Sequence, residues 1–327
     1  MSTVGIDIGG ANLKFASSRG DAVSVKFPMW KHPDQLTDAL VANLKELRPF
    51  ERVAVTMTGE LADCFYDREH GVRHIVRQTE EAVDALQIQE SQYYAVDGNF
   101  HSAESTMADP DLFAAANWHA LATYVGREFC PDGLLVDIGS TTTDVIPISN
   151  GQVATSAKTD FDRLAEGSLV YVGCRRTPLC ALASTVCFRG QRVSVMNELF
   201  ATIDDALLVV GSTLPNEQCD TADGRTRSVK NAINRIGRMV GLDHRQISNA
   251  EAVDLAQQFV TRTSELICDA VARNNPVRIV CSGHGRSLFQ PPSDCEMIEL
   301  SSCIGEDASR CAPAFALAQL RESTSYN

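Results

Sequence analysis

Two segments of the sequence present the same series of residue types, and both have the composition of a phosphate-binding turn. The first is residues 7–12 (DIGGAN) and the second is residues 137–144 (DIGSTTTD). Each segment lies between two short apolar runs, so we predict that each forms the tip of a β-hairpin. Glycine lets the backbone of such a tip approach a ligand closely, and the exposed N–H groups there attract anions. Two such tips facing each other would clamp one diphosphate group.

The aspartates of these segments indicate that a cation accompanies the phosphate. Asp7, Asp137 and Asp144 would repel a polyanion, whereas a hard cation such as Mg²⁺ between carboxylate and phosphate oxygens removes the repulsion. We predict that these three aspartates are catalytic and that Asp7 and Asp144 bind Mg²⁺. The phosphate contacts are predicted at Gly9, Gly10, Asn12, Gly139, Ser140, Thr141 and Thr142. An ordinary glycine turn is the alternative for either segment alone, but the recurrence favours phosphate.

A third glycine turn follows an apolar run at residues 277–281 that is typical of a buried strand. This turn, residues 282–286 (SGHGR), is of a kind that packs against a nucleotide or opens a helix, and Gly283 and Gly285 are predicted phosphate contacts. In order and spacing, the three turns resemble the phosphate-one, phosphate-two and adenosine segments of actin, sugar kinases and Hsp70 ATPases. The resemblance implies an α/β fold of two lobes, the actin-like ATPase (ribonuclease H-like) fold, with the ligand cleft between the lobes.

Within that superfamily the chain most resembles the hydantoinase/oxoprolinase-related proteins. Residues 55–61 (VTMTGEL), 115–122 (AANWHALA), 169–178 (LVYVGCRRTP) and 219–225 (CDTADGR) are similar to a narrow group linked to tetrahydromethanopterin-dependent one-carbon transfer. That group includes a condensing enzyme of methanofuran biosynthesis, and the similarity covers essentially the whole chain. It implies a transferase that condenses an aminomethylfuran-methyl diphosphate with the phenol of γ-glutamyltyramine, or a similar acceptor, and releases diphosphate.

The three turns alone leave other functions open. In an ATP-dependent kinase or hydrolase of the hydantoinase/oxoprolinase type, the same turns would bind ATP with Mg²⁺ on its phosphates. A nucleotide-gated interaction module, as in some actin-like proteins, is a further alternative. We expect diphosphate to be the recognised anion and adenosine to contribute little, because the bulky His284 stands between the two glycines of the third turn.

Polar residues after the predicted strands are candidates for the base and for substrate contacts. Thr58, Gly59 and Glu60 follow one strand and Asp97 ends the next, where the ligands of α/β sheets usually collect. Glu60 or Asp97 is the predicted general base, and ordinary polar loops are the alternative. The predicted substrate contacts are Lys14, Thr58, Gly59, Asn117, Arg175, Arg176, Asp220 and Asp223.

The arginines and aspartates in this set have structural alternatives. Arg175 and Arg176 are adjacent, and arginine binds phosphate or carboxylate in a bidentate manner. Adjacent residues of an extended segment point to opposite sides, so we expect one to contact the substrate and the other to form a structural ion pair. The stretch that contains Asp220 and Asp223 suits either a substrate loop or a capping loop before a helix. A charged stretch at residues 67–74, which holds two histidines, indicates a solvated loop rather than a metal site.

Composition limits the remaining possibilities. The 327 residues are 44% hydrophobic and carry a formal net charge of −13, so we expect a sizeable core and no binding to nucleic acid or to an anionic membrane surface. No leader-like segment opens the chain, and no apolar run approaches the ~18 residues that cross a membrane. The eleven cysteines therefore indicate a cytoplasmic protein with reduced thiols. The expected partner is a small phosphorylated molecule, and the expected assembly is a monomer or small homo-oligomer.

The pattern of strands and helices predicts two lobes, residues 1–130 and residues 131–327. The first lobe should contain three strands, a helix that begins after Pro33, strands at 52–57 and 93–96, and a helix at 110–128. The second should repeat a hairpin and continue with helices near 196–210, 228–241 and 249–275, strands at 277–281 and 296–300, and a closing helix at 310–321. The turn-rich stretch at 129–133 is the predicted boundary.

Overall fold

The computed structural model describes residues 2–324, which form two mixed β-sheets, a small hairpin and surrounding helices. The first sheet contains β1 (Thr3–Gly9), β2 (Asn12–Ser17), β3 (Ala22–Lys26), β4 (Arg52–Thr58), β5 (Glu90–Tyr94) and β6 (Phe100–His101). The second half of the chain contains β7 (Gly133–Ile138), β8 (Thr143–Ser149), β9 (Gln152–Val153), β10 (Leu169–Val170), β11 (Thr185–Phe188), β12 (Gln191–Ser194), β13 (Arg278–Gly283) and β14 (Glu296–Glu299). Strands β11 and β12 form the separate hairpin, and the others form the second sheet.

The two sheets share one topology. The strand order is β3-β2-β1-β4-β5-β6 in the first sheet and β10-β8-β7-β13-β14 in the second, where β9 pairs with β8. In each sheet the central pair is an antiparallel hairpin, β1–β2 or β7–β8. The next strand, β4 or β13, lies parallel to the first strand of that hairpin. This order confirms the two predicted hairpins, and the fold is the predicted α/β, actin-like (ribonuclease H-like) fold.

Helices cover the sheets and connect their strands. The α-helices are α1 (Leu36–Glu46), α2 (Arg68–Leu86), α3 (Ala103–Ala108), α4 (Asn117–Glu128), α5 (Asp160–Glu166), α6 (Leu179–Leu182), α7 (Ile203–Val209), α8 (Val229–Arg238), α9 (Asn249–Ala272), α10 (Leu300–Ile304), α11 (Glu306–Arg310) and α12 (Ala312–Ser323). Short 3₁₀ helices lie at Pro33–Gln35, Pro110–Leu112 and Arg286–Leu288. Across residues 2–324, no helix has the length and apolar character needed to cross a membrane.

The charged stretch at residues 67–74 is the start of helix α2, so the expectation of a solvated loop is wrong. Asp67 caps this helix, and its side chain accepts a hydrogen bond of 2.8 Å from the backbone N–H of His70. The apolar side chains of the helix, such as Val72 and Val76, are buried, and its charged side chains occupy the other face. His74 donates to the carbonyl oxygen of Pro33 over 3.1 Å. The charges of this stretch therefore belong to the solvent face of an amphipathic helix.

Two predicted helices are shorter than expected. The helix predicted at 110–128 is interrupted at Ala115, whose φ of 49° is left-handed, and α4 begins only at Asn117. In the helix predicted near 196–210, only Ile203–Val209 is helical. A capping box between Thr202 and Asp205 fixes its start, because each side chain accepts a hydrogen bond from the backbone N–H of the other residue. Strand β5 likewise ends before the predicted limit at residue 96.

Helices α4 and α12 lie between the two sheets and belong to one shared core. Residues of both sheets, such as Ala54 of β4 and Val280 of β13, lie in the same buried cluster as these helices. Helix α12 comes from the C-terminal part of the chain, yet it packs on β1, β2 and β4 of the first sheet. The predicted boundary near residue 130 thus separates the two sheets in sequence but not in packing, and the division into lobes at that point stays a prediction.

The contact between β1 and α12 requires a glycine at position 5. A Cβ atom at Gly5 would lie 1.8 Å from the backbone oxygen of Ala314, and a helix backbone cannot move aside as a flexible side chain would. We expect Gly5→Ala to lower the free energy of unfolding by at least about 2 kcal/mol, as overpacking of a rigid core does. Urea denaturation measures this loss.

The matched control for stability is Gly10→Ala, because the nearest atom to a Cβ at Gly10 would be 3.9 Å away. This control should keep the denaturation midpoint of the unmodified protein. Equal midpoints for the Gly5 and Gly10 variants would contradict the tight packing of α12 on β1.

Candidate active site

A cavity of about 710 Å³ is lined by both hairpin tips, the one between β1 and β2 and the one between β7 and β8. The residues predicted from sequence that line it are Asp7, Gly9, Gly10, Asn12, Lys14, Thr58, Glu60, Asn117, Asp137, Gly139, Ser140, Thr141, Thr142, Asp144 and Arg176. Trp30, Leu61, Asp160, Arg163 and Tyr171 also line it and were not predicted. The structure therefore brings the two phosphate-type turns to one cavity.

The first hairpin tip has its carbonyl groups occupied and its N–H groups free. Met29 donates its backbone N–H to the carbonyl oxygen of Gly10 over 2.9 Å, and Phe27 donates to that of Ala11 over 3.0 Å. Within residues 2–324, the N–H groups of Gly10 and Ala11 donate to no protein acceptor. Unpaired N–H groups beside a cavity form an anion-binding surface.

The second hairpin tip is braced in the same manner. The backbone of residues 174–176 donates hydrogen bonds of 2.8 to 3.0 Å to the carbonyl oxygens of Gly139 and Ser140. The N–H groups of Ser140, Thr141 and Thr142 donate to no acceptor in the described part of the chain. Both tips thus present unpaired backbone donors at the same cavity.

The third glycine turn packs against the second hairpin and does not line the cavity. A Cβ at Gly283 would lie 2.3 Å from the backbone oxygen of Ile138, and a Cβ at Gly285 would lie 2.2 Å from the Ile138 side chain. Gly283 also has a φ of 85°, which favours glycine. Close packing therefore accounts for both glycines without a nucleotide, and their role as phosphate contacts stays a prediction.

Asp7 and Lys14 face each other across the first hairpin and form an ion pair with 3.7 Å between Oδ2 and Nζ. Burial raises the pKa of Asp7, and Lys14 opposes that shift. Burial by itself would lower the pKa of Lys14, but Asp7 and Asp137 outweigh it, so the pKa of the amine is raised. The other carboxylate oxygen of Asp7, Oδ1, is buried and has no hydrogen-bond partner among the described residues.

The second hairpin places two aspartates, Asp137 and Asp144, directly opposite each other. Like charges in this position are destabilising. Burial and then the charge of Asp144 raise the pKa of Asp137 to about 6, although Lys14 lowers it. Asp144 forms a buried ion pair with Arg163, whose guanidinium stacks on Trp118 at 4.2 Å from the ring centroid. Replacing Asp144 would therefore leave the buried guanidinium with its longer ion pair to Asp160, in which 3.7 Å separates Nη1 from Oδ1.

Glu60 is the buried carboxylate best suited to accept a proton. It follows β4, is only 1% exposed, and lines the cavity. Burial raises the pKa of Glu60 to about 7, and its Oε2 atom has no partner among residues 2–324. Gly59 does not line the cavity, but its backbone lies against the first hairpin. Its N–H donates to the carbonyl oxygen of Ile8 over 3.0 Å. The loop that carries Glu60 is thus fixed to the phosphate site.

The acidic side chains fit a magnesium ion only if phosphate and water complete its coordination. Across residues 2–324, no three His, Cys, Asp or Glu side chains converge into a site that would hold a metal by themselves. The unpartnered Oδ1 of Asp7 is the oxygen best placed to bind a cation, since Asp144 is engaged by Arg163. Mg²⁺ is usually held by one or two carboxylates together with substrate phosphates and water, so these residues fit the ion.

Asp97 lies away from this cavity and lines a separate one of about 520 Å³ with His119 and Lys158. Its carboxylate is 2.9 Å from Nε2 of His101. Partial burial would raise the pKa of Asp97, but hydrogen bonds from the Asn99 backbone and from His101 outweigh this effect and hold it below its usual value. A group that is paired and more acidic than usual is a poor base, so Glu60 alone is retained as the candidate.

The adjacent arginines diverge, although the segment that holds them is a bend rather than the expected extended stretch. Arg176 lines the cavity, whereas Arg175 points towards Asp204, with 3.9 Å between Nε and Oδ1. Asp223 pairs with the buried Arg235 of α8, with 2.9 Å between Oδ1 and Nη1. Asp220 pairs with Lys26, with 3.1 Å between Oδ2 and Nζ. Neither aspartate lines the cavity, so the geometry favours the structural alternative for this loop.

Arg163 and Asp160 gave no signal in the sequence. A capping box between Thr159 and Asp162 predicts the start of α5, but a charged residue in a charged segment is normally exposed. Arg163 is nevertheless one of the largest buried side chains, with 2% of its surface exposed. Its burial depends on Asp144 and Trp118, which are distant in sequence, so no local pattern could reveal it.

Fold and site together define an α/β protein of the actin-like fold, with a cavity between two related hairpins. The sequence profile of the hydantoinase/oxoprolinase family matches residues 51–324. The chain therefore belongs to the hydantoinase/oxoprolinase family. Among solved structures it is similar in fold to a nucleotide-free acetone carboxylase, with a TM-score of 0.51 and 11% identity over 97% of this chain and 70% of that one.

Two curated relatives are more similar in sequence. The chain is 36% identical to the (4-{4-[2-(gamma-L-glutamylamino)ethyl]phenoxymethyl}furan-2-yl)methanamine synthase of Methanocaldococcus jannaschii, over 97% of this chain and 96% of the relative. A protein of the same name from Methanococcus vannielii is 32% identical over 61% of this chain and 95% of its own length.

The raised pKa of Glu60 predicts a pH-dependent effect of Glu60→Gln on stability. In the unfolded protein this carboxyl has its ordinary pKa of 4.5, whereas in the folded protein its pKa is about 7. The unmodified protein therefore loses stability as the pH rises from 4.5 to 7, because only the unfolded state readily ionises in this window. Glutamine is neutral throughout. We therefore expect Glu60→Gln to become more stable relative to the unmodified protein between pH 4.5 and 8, by up to about 3 kcal/mol.

Denaturant unfolding at several pH values measures this difference. Glu198→Gln, at an exposed position, is the control and should show no such trend. A constant difference between Glu60→Gln and the unmodified protein from pH 4.5 to 8 would refute the raised pKa.

Proposed function

We propose that this protein is a transferase that joins an aminomethylfuran-methyl diphosphate to the phenol of γ-glutamyltyramine, or a similar acceptor, in methanofuran-type cofactor biosynthesis. The observation that carries the proposal is the 36% identity, over 97% of the chain, to a synthase named for the ether that such a condensation forms. We further propose that it acts in the cytoplasm, on a small phosphorylated substrate, as a monomer or small homo-oligomer.

The reaction is an alkyl transfer. The phenol oxygen forms a bond to the methylene carbon of the furan-methyl group, the bond from that carbon to the diphosphate oxygen breaks, and its electron pair leaves on the diphosphate. The electron-rich furan stabilises positive charge that develops on the carbon. The free N–H groups of the two hairpin tips are positioned to stabilise the negative charge of the leaving group.

Magnesium and the buried charges would support the same step. Bound by Asp7 and the phosphate oxygens, Mg²⁺ would neutralise part of the diphosphate charge. Lys14 forms an ion pair with Asp7 and Arg163 forms one with Asp144, so two positive charges lie beside the proposed phosphate site. Thr58, Asn117 and Arg176, which also line the cavity, are the proposed substrate contacts.

Glu60 is the proposed base for the phenol. A phenol has a pKa near 10, so its attack is easier when a neighbouring carboxylate accepts the proton. With a pKa of about 7, Glu60 is a stronger base than an ordinary carboxylate and is still largely ionised above neutral pH. The Oε2 atom, which has no partner among the described residues, is the proposed acceptor of that proton.

An ATP-dependent kinase or hydrolase is the second candidate, because two hairpin tips of this kind suit the phosphates of ATP as well. The close packing of Gly283 and Gly285 against Ile138 removes one reason to expect adenosine at the third turn. The decisive test is product formation without nucleotide. Purified protein with Mg²⁺, the furan-methyl diphosphate and γ-glutamyltyramine should yield the ether and one diphosphate per ether by mass spectrometry. A product formed only with ATP would support the kinase or hydrolase instead.

Removing the charge of Asp7 should weaken diphosphate binding. Asp7→Asn would remove the unpartnered carboxylate oxygen that we assign to Mg²⁺, so the affinity for diphosphate in the presence of Mg²⁺ should fall at least about tenfold. Isothermal titration calorimetry measures the affinity. Asp97→Asn, in the separate cavity, is the matched control. Equal affinities for the two variants would exclude Asp7 from the phosphate site.

The two adjacent arginines should respond differently to replacement by lysine. Arg176→Lys keeps the charge at the cavity but loses the bidentate geometry, so the value of kcat/KM should fall by an amount equivalent to about 1–3 kcal/mol. Arg175→Lys, which alters only the contacts with Asp204 and Gln218, should stay close to the unmodified protein. If Arg175→Lys lost more activity than Arg176→Lys, the assignment of the two side chains would be reversed.

A further inference from the structure

The cavity changes in character from its floor to its mouth. The carboxylates of Asp7 and Glu60 are almost fully buried, whereas three large apolar side chains that line the same cavity are exposed: Trp30 by 39%, Leu61 by 56% and Tyr171 by 65%. Exposed apolar side chains beside a concave site usually mark a ligand-binding surface. The mouth therefore offers a hydrophobic surface that a phosphate does not need.

Trp30 is attached directly to the first hairpin. The preceding residue, Met29, is completely buried and donates its backbone N–H to the carbonyl oxygen of Gly10 over 2.9 Å. Trp30 is therefore the residue directly after the one that is hydrogen-bonded to the hairpin tip. Its position relative to the phosphate end of the cavity is fixed by the backbone.

Arg176 has the corresponding position on the second hairpin. Its backbone N–H donates to the carbonyl oxygen of Ser140 over 2.8 Å. Across the cleft, its guanidinium approaches the ring of Trp30, with 5.8 Å between Cζ and the ring centroid, which is within the range of a cation–π contact. The two side chains, one from each hairpin brace, meet at the mouth of the cavity.

Leu61 connects this apolar mouth to the proposed base. It follows Glu60 in the chain, and both side chains line the same cavity, Glu60 buried and Leu61 exposed. The ring of an acceptor phenol needs this location, because its hydroxyl must reach the base while the ring stays outside the phosphate site.

We propose that the mouth of the cavity is the acceptor site, in which a phenolic ring packs between Trp30 and Leu61 and a carboxylate of the acceptor faces Arg176. This inference rests on the proposed alkyl transfer and assigns its second substrate to particular residues. The diphosphate ester occupies the hairpin tips, so the acceptor ring, rather than the furan, meets the indole. Trp30 is then the residue that selects an aromatic acceptor.

Steady-state kinetics with each substrate varied in turn tests the assignment. Trp30→Ala should raise the KM for γ-glutamyltyramine about tenfold or more, through loss of ring packing, and should leave the KM for the furan-methyl diphosphate nearly unchanged. Trp30→Phe should restore most of the loss because it keeps an aromatic face. Tyr66→Ala is the matched control, since Tyr66 is 94% exposed and does not line the cavity. If Trp30→Ala raised the KM for the furan-methyl diphosphate by a larger factor than the KM for γ-glutamyltyramine, the assignment would be overturned.

Binding without turnover separates this inference from the proposed function. Titration of γ-glutamyltyramine should change the indole fluorescence of the unmodified protein and of Tyr66→Ala, but not that of Trp30→Phe, in which only the buried Trp118 remains. If no ether forms but this Trp30-dependent change is seen, the acceptor site stands and the alkyl transfer fails. If ether forms while Trp30→Ala keeps the normal KM for the acceptor, the acceptor site fails and the alkyl transfer stands.

Discussion

The facing aspartates of the second hairpin impose the constraint on which the rest of the site depends. Asp137 and Asp144 lie directly opposite each other in a cavity where burial already disfavours charge. Arg163 balances Asp144, and Lys14 lowers the pKa of Asp137 while it pairs with Asp7. Negative charge still exceeds positive charge once Glu60 and Asp160 are included. Carboxylates so close together would repel a diphosphate, and on the proposed function a cation such as Mg²⁺, held between carboxylate and phosphate oxygens, removes that repulsion.

The two hairpins are braced by backbone hydrogen bonds of the same kind, which also attach two residues at the mouth of the cavity to the hairpin tips. Backbone N–H groups of Phe27, Met29 and residues 174–176 donate to carbonyl oxygens of the tips. This leaves the N–H groups of the tips available to an anion, and it attaches Trp30 and Arg176 to the same two turns. A displacement of either hairpin would therefore move a phosphate contact and a contact at the mouth together.

The sequence was most informative where the chemistry is local. The glycines and aspartates of the two hairpins, and the alternating apolar runs beside them, predicted strand pairs that the structure contains. Contacts between distant segments were the limit. Arg163 is buried by Asp144 and Trp118, and Asp97 lies in the turn after β5 and lines a different cavity. The third turn shows the same limit, since the glycines at 283 and 285 are explained by packing on Ile138, which no pattern within residues 282–286 reveals.

The central claim is that the hairpins bind a leaving group and not a phosphoryl group that is transferred. Oxygen-18 at the phenol of γ-glutamyltyramine distinguishes the two directly. If the phenol attacks carbon, mass spectrometry will find all of the label in the ether and none in the released diphosphate, with no nucleotide required. Label in a phosphate ester of the acceptor would show that the phenol attacks phosphorus, and it would contradict the account.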